Sequence, residues 1–377
     1  MKFIDLNRQY NNYQGELEET LLRVARSGQY ILGPEVEALE KELSAFTGAN
    51  FAVGVSSGTD ALLLGLMALG VGPGDVVVTT PFSFFATVET IMLLGAEPAF
   101  VDIEEDTFNL DPELLGPELD RLEKLGKKVK GIVVVSLYGQ CADMDPINEV
   151  ASKRGLFVME DACQSLGATY KGRASCNLTD VAATSFFPSK PLGCFGDGGM
   201  VFTQDEKMAD LFKALRIHGD TGRYQHEYLG INGRLDALQA AILRVKLKHF
   251  KEEIGLRQRA AHRYMELLSG LEEEGHIKLP RIDPEKSSVF AQFTIRVLTK
   301  ERDALAKAMT EQGVPVAVHY PEALPFLRPL EHLGFKRGQF EKAERAAQQV
   351  LSLPMHAFIE EAEQIKVAEA LGRALKA

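Results

Sequence analysis

Short β-branched runs alternate with amphipathic helical stretches from residue 51 to roughly residue 250, and this alternation constrains the fold more than any other feature of the chain. Such a pattern predicts a mostly parallel sheet covered by helices. Strands are expected over 51–55, 76–79, 99–101, 131–136, 156–160, 181–187 and 200–203, with helices over 59–69 and 86–94. The run Gly131-Ile-Val-Val-Val-Ser136 has no alternation of polar residues, as a strand covered on both faces requires. Residues 235 to about 269 are rich in Ala, Leu, Glu, Lys and Arg and predict one or two long helices. A strand over 289–297, a helix over 304–310, a short strand over 316–319 and terminal helices complete the reading. The expected fold class is therefore α/β. A large domain over 1–250 holds a mostly parallel mixed sheet flanked by helices, and a smaller C-terminal α/β domain covers 251–377.

The net charge of −11 argues against a nucleic-acid groove or an anionic membrane surface as partner. It leaves room for small anions, which glycine-rich backbone and a few arginines can hold. The longest apolar stretch, 61–72, is too short to span a bilayer and runs into Pro73-Gly74-Asp75. Cys141, Cys163, Cys176 and Cys194 lack paired metal-ligand spacing, so neither a metal site nor a disulfide scaffold is expected. The first ten residues carry no signal-peptide pattern, and a cytoplasmic location is expected.

Four segments carry chemistry. Ser56-Ser57-Gly58-Thr59-Asp60 joins a strand to a helix, where Gly58 lets backbone approach a ligand and free N–H groups can meet an anion. The same residues also read as an ordinary helix cap through Ser57 or Thr59. Pro81-Phe-Ser-Phe-Phe-Ala-Thr87 places an aromatic, Phe84, at the carboxyl edge of the sheet, where open α/β sheets bind ligands; core packing is the alternative. The apolar run Leu156-Phe-Val-Met-Glu-Asp161 ends on a carboxylate, with Gln164 three residues on. Finally Lys190 lies in Thr184-Ser-Phe-Phe-Pro-Ser-Lys-Pro-Leu-Gly-Cys-Phe-Gly-Asp-Gly-Gly199, among aromatics and glycines, with Ser185 just before it.

An aspartate at one strand end and a lysine on a glycine-rich loop after the next suit pyridoxal 5′-phosphate. The lysine amine forms a Schiff base with the aldehyde, and Asp161 keeps the ring nitrogen protonated so that the ring can absorb electrons. A carboxylate 4 Å from a pyridinium gains about 4 kcal/mol at an effective dielectric near 20. That is roughly three pKa units, enough to hold the ring charged at neutral pH. Lys190 must in turn be desolvated, because a free lysine is neutral only about once in a few thousand at pH 7. Gln164 can donate to the ring hydroxyl and Ser185 to a phosphate.

With these segments in this order, the chain resembles the PLP-dependent nucleotide-sugar aminotransferases of the DegT/StrS type, which have the aspartate-aminotransferase fold (fold type I). The resemblance also rests on Phe3-Ile-Asp-Leu, Gly33-Pro-Glu-Val36, Gly196-Asp-Gly-Gly199, Asn232-Gly-Arg-Leu-Asp-Ala-Leu-Gln-Ala-Ala241 and Val318-His-Tyr-Pro321. It implies that Lys190 and Asp161 are catalytic. Ser57, Gly58, Thr59 and Ser185 would hold the phosphate, Phe84 would stack on the ring, and Gln164 would bond its hydroxyl. Asn232 would reach the phosphate of a neighbouring subunit, which implies a homodimer with shared sites. Arg234, His319 and Tyr320 would bind substrate; Arg234 suits a carboxylate, although an ion pair with Asp236 is the local alternative.

Within the group, Ser136-Leu-Tyr-Gly-Gln-Cys-Ala-Asp143 is most similar to enzymes that aminate C3 of UDP-2-acetamido-2-deoxy-3-oxo-glucuronate, with L-glutamate as donor, for surface polysaccharides. A C4-keto nucleotide sugar, or a non-catalytic PLP-binding regulator, is the alternative. Cys163 departs from the alanine common in relatives and suggests sensitivity to thiol reagents.

Overall fold

The computed structural model describes residues 1–376. Two helices, α1 (Leu6–Ser27) and α2 (Pro34–Thr47), precede the alternating region. That region then runs β1 (Phe51–Val55), α3 (Gly58–Ala68), β2 (Asp75–Thr79), α4 (Ala86–Leu93), β3 (Glu97–Phe100), α5 (Pro112–Lys124), β4 (Lys128–Val135), α6 (Met144–Arg154) and β5 (Phe157–Asp161). A two-residue hairpin, β6 (Thr169–Tyr170) and β7 (Arg173–Ala174), leads to β8 (Val181–Ser185), β9 (Gly199–Thr203) and α7 (Glu206–Leu215). The long helix α8 (Ala237–Glu273) crosses position 250 without a break.

The central sheet has seven strands in the order β1-β9-β8-β5-β4-β2-β3. Pairing is parallel from β8 to β3, and only β9 runs against its neighbours. Its strands are apolar on both faces because both are covered. Val53, Val77, Val133 and Val201 pack under α3 and α7, while Val78, Ile132 and Val134 pack under α5 and α6. The carboxyl ends of β1, β2, β4, β5 and β8 therefore share one edge, and each is followed by a turn free to carry function.

The C-terminal part has its own antiparallel sheet, β10 (Ile277–Lys278), β11 (Phe293–Val297) and β12 (Val350–Leu353). Helices α9 (Arg302–Glu311), α10 (Glu341–Gln349) and α11 (Glu361–Lys376) complete it. A core of residues 260–374 fills this unit, and a further cluster joins Phe82, Phe100 and Tyr138 to Leu324, Phe340 and Val350 across the two parts.

Two expected strands come out differently. The one expected over 289–297 begins only at Phe293, because Phe290 takes a left-handed φ of 44° and Val289 N–H donates to the Gly139 carbonyl. The one expected over 316–319 reduces to a single bridge between Ala317 and Ser352. In addition, β12 stands within a stretch expected to be helical. Among the described residues no helix is long and apolar enough to cross a membrane, and no cluster of His, Cys, Asp or Glu could hold a metal ion.

Candidate active site

At the carboxyl edge of the sheet lies a cavity of about 460 Å³. It is lined by Ser57, Gly58, Thr59, Phe84, Asp161, Cys163, Gln164, Ser185, Lys190, His319 and Tyr320. Ten of the twelve expected site residues thus meet in one place, drawn from the ends of four strands and from the C-terminal part. Asn232 and Arg234 do not line it. Asn232 is exposed beside a backbone bridge to Ile217, and Arg234 bridges Val55 with its buried Nε unpaired.

The first wall is the N-terminus of α3. Ser57 is extended (φ −161°, ψ 167°) and its Oγ accepts from Asp60 N–H at 3.0 Å, so the cap reading holds. The cap leaves the remaining first-turn N–H groups facing the cavity, where the helix dipole favours an anion. Gly58 is required by packing: a Cβ there would stand 2.6 Å from Ser185 Cβ and 3.1 Å from Cys163 Sγ. Gly199 is equally constrained, since its Cβ would lie 2.3 Å from the Ser57 carbonyl oxygen. Backbone, Ser185 and the helix end are thereby held together as one cradle.

Asp161 ends β5 and is 5% exposed. Thr87 Oγ1 donates to its Oδ2 at 2.8 Å, and Cys163 N–H donates to its Oδ1 at 3.2 Å. Ser83 Oγ lies 3.0 Å from Thr87 Oγ1. Since the Thr87 proton is committed to the carboxylate, Ser83 is the donor to Thr87. A relay therefore runs from the aromatic turn to the aspartate. Phe84, on the same turn, is 58% exposed and offers an uncovered ring face to the cavity.

Gln164 Oε1 accepts from Tyr138 N–H at 2.7 Å, and its Nε2 donates to Tyr320 Oη at 3.2 Å. Tyr138 Oη in turn donates to the His319 carbonyl. His319 Nδ1 is bonded to Ser352 Oγ at 2.9 Å, and burial, reinforced by the nearby Lys190 charge, pushes its pKa down to about 4. The imidazole is neutral at physiological pH. Burial likewise raises the Tyr320 hydroxyl above its ordinary value, with the Asp161 charge adding to it.

Lys190 sits on a tight turn, its N–H donating to the Phe187 carbonyl at 2.8 Å. Its amine is partly open to the cavity yet enclosed by protein, and desolvation pushes its pKa below the usual lysine value; Cys163 and Asp161 oppose the shift. Cys163 is half-buried on the cavity wall, and burial beside Asp161 raises its thiol well above the ordinary value, which works against the expected sensitivity to thiol reagents. Thr87, Ser83, Tyr138 and Gln292 also belong to the site or its supports and were not anticipated. Ser83 and Thr87 stand in the same segment as Phe84, and Tyr138 in the segment 136–143, while Gln292 lay in no segment that carried a chemical signal.

The donor set fits pyridoxal phosphate: an anion cradle without room for a Cβ, an exposed aromatic face, a buried carboxylate held as acceptor and a desolvated amine surround one cavity.

The chain matches the DegT/DnrJ/EryC1/StrS aminotransferase family over residues 11–372. It is 48% identical over 362 residues to the UDP-2-acetamido-2-deoxy-3-oxo-D-glucuronate aminotransferase of Pseudomonas aeruginosa, covering 96% of this chain and 97% of that one. Among solved structures, Streptomyces venezuelae DesV in complex with a ketimine intermediate superimposes with a TM-score of 0.94 at 37% identity, covering 100% of this chain and 98% of that one. Bacillus subtilis NtdA with bound cofactor PMP gives 0.91 at 32% identity, covering 100% and 85%. The chain belongs to the DegT/DnrJ/EryC1/StrS aminotransferase family.

Proposed function

We propose that the chain is a pyridoxal-phosphate-dependent aminotransferase that moves the amino group of L-glutamate to C3 of UDP-2-acetamido-2-deoxy-3-oxo-glucuronate. The observation that carries the reaction class is Lys190 facing the same cavity as Asp161, Phe84 and the α3 N-terminus. The sugar rests on the 48% identical Pseudomonas aeruginosa relative, which is matched over almost its whole length.

When bound, the cofactor supplies an electron sink that makes a substrate C–H bond acidic. The α3 N-terminus, Ser57, Thr59 and Ser185 would hold its phosphate. Asp161, fixed through both oxygens, would accept from the ring nitrogen and keep it charged. Gln164, clamped between Tyr138 and Tyr320, would bond the ring hydroxyl. Lys190 Nζ would anchor the aldehyde and, once freed by the donor amine, would carry the proton that leaves the glutamate α-carbon and, in the second half-reaction, the one that arrives at the sugar carbon. Lowered basicity suits both tasks, since a general base works best with a pKa near the ambient pH.

A shared-site homodimer completes this reading. Tyr224 and Leu229 are about nine-tenths exposed on the loop preceding Asn232, and Arg234 keeps a buried Nε with no partner among the described residues. A second copy of the chain would cover the first two and bring the Arg234 region toward its neighbour's cavity.

The test is to load the pyridoxamine form and present purified nucleotide keto sugars, following return of the pyridoxal absorbance. Return with the C3-keto uronate, dependent on Lys190, is the expected result. A response to a C4-keto sugar alone would overturn the substrate and leave the reaction class standing. Sedimentation of a monomer with full activity would remove the shared site.

A further inference from the structure

The long helix α8 carries a stripe of polar side chains, half-buried at Gln239 and buried beyond it, that the reaction does not use. Gln239, Lys246, Glu253 and Arg257 are spaced by seven, seven and four residues and so share one face of the helix. Lys246 and Glu253 are each 2% exposed and Arg257 is 4% exposed. Burying an ion costs several kcal/mol unless its environment compensates. No ion pair within 4 Å joins the three among the described residues, so each charge must be held by what it touches.

What the first two touch is the turn that bears Lys190. Lys246 Nζ donates to the Gly193 carbonyl at 2.6 Å and stands 4.7 Å from the centre of the Phe195 ring. Gln239 Oε1 accepts from Phe195 N–H at 2.8 Å. The turn between Phe187 and Gly193 is closed on itself: a Cβ on Gly193 would meet the Pro188 carbonyl oxygen at 2.6 Å and that of Phe187 at 2.7 Å. A displacement of Gly193 is therefore passed directly to Lys190. Further along the stripe, Glu253 accepts two bonds from Gln9 Nε2, and Arg257 Nη1 donates to the Phe290 carbonyl in the C-terminal part. Beside these contacts, Pro188 and Lys190 of the turn line a small cavity together with Glu253, Arg257 and His356.

We propose that Lys246, with Gln239, is a positioning residue for Lys190: α8 grips the turn from behind and sets where the anchoring amine stands in the active site. An aliphatic side chain at 246 would fill the same volume without the desolvation cost, so the amine is retained for the bond it makes. Burial lowers its pKa to about 8, which still leaves most of it cationic at neutral pH and the bond to Gly193 charge-assisted. The proposal rests on Lys190 being the cofactor anchor, but the contact itself exists without cofactor.

The test variant is Lys246→Met, with Val367→Ala on α11 as a control that loosens the C-terminal core far from the turn. Three readouts separate positioning from mere stability. In the cofactor-free protein, amide hydrogen exchange over residues 187–196 should quicken in Lys246→Met and stay at the wild-type rate in the control. In the PLP-loaded protein, the pH midpoint of the cofactor absorbance should move in Lys246→Met only. Turnover should fall about 10- to 100-fold, the penalty for an ångström-scale misplacement, with KM for L-glutamate little changed. Unchanged exchange and an unchanged midpoint, with only a lower melting temperature, would overturn the proposal. Should Lys246→Met not fold, Gln239→Leu removes the second contact alone and must show the same exchange and midpoint changes. A wild-type protein lacking visible absorbance with PLP would instead sink the anchor role of Lys190, whatever the exchange data say.

Discussion

Asp161 shows how much of this site depends on groups that never touch a ligand. A buried carboxylate can serve as a ring-nitrogen acceptor only while its orientation is fixed, and Thr87 Oγ1 at 2.8 Å does the fixing. Hydrogen bonds to charged groups contribute about 1.5–3 kcal/mol. Thr87→Val keeps the shape and removes the donor, so PLP affinity should weaken by about tenfold or more, read by equilibrium titration of the absorbance. Thr87→Ser should recover most of it; a Val variant as tight as wild type would deny the relay any role. Cys163 gives a second expectation. With its thiol raised by burial and by Asp161, inactivation by iodoacetamide at pH 7 should be slow and no slower in Cys163→Ala. Both residues illustrate what a sequence conceals. Lys190 and Asp161 were legible because packing alone seldom places a charge at the end of an apolar strand or among aromatics and glycines. The Thr87 hydroxyl, by contrast, becomes meaningful only when the fold sets the first turn of α4 opposite the end of β5, 74 positions away.

At the level of elements, the parallel strands were readable because burial on both faces leaves an unbroken apolar run, as in β4. In the small C-terminal sheet only the central strand β11 was readable; β12 was not, because it is short and follows directly on α10, whose alanine-rich pattern masks the change. Tyr138 and Gln292 escaped for a related reason: each sits in an irregular segment with no periodicity to place it. The element that matters most to ligand binding is α3, whose first residue must be glycine. In Gly58→Ala the added methyl would press on Ser185 at 2.6 Å, and relief requires the helix end to withdraw from the cradle. Overpacking of this kind costs about 1–3 kcal/mol, too little to unfold a chain of this size. The variant should therefore stay folded by circular dichroism while losing PLP affinity. Retained affinity would mean that the α3 backbone is not the phosphate cradle.

On the scale of the whole molecule, the cavity straddles two cores. Gln292, His319 and Tyr320 enter it from the C-terminal part, while α8 and the N-terminal segment tie the parts together behind it. His356 lies at that seam, 4% exposed, and burial together with the neighbouring Arg257 charge pushes its pKa from 6.5 down to about 4. The folded chain thus excludes a proton that the unfolded chain accepts. This component of stability is fully present above about pH 6.5 and is lost as the pH falls toward 4, because in that window only the unfolded state is protonated there. A shift of this size is worth about 3 kcal/mol between the two ends of the window. Replacing the imidazole by a group that does not titrate removes this component. His356→Phe should therefore lose less stability than wild type between pH 7 and pH 5, measured by urea midpoints at each pH, even if it begins less stable. An identical pH slope in the two proteins would mean that the seam admits water on protonation and that His356 is not a buried neutral group. In that case the acid sensitivity of the assembled cores would have to come from His319, whose pKa burial also pushes down to about 4, or from carboxylates elsewhere.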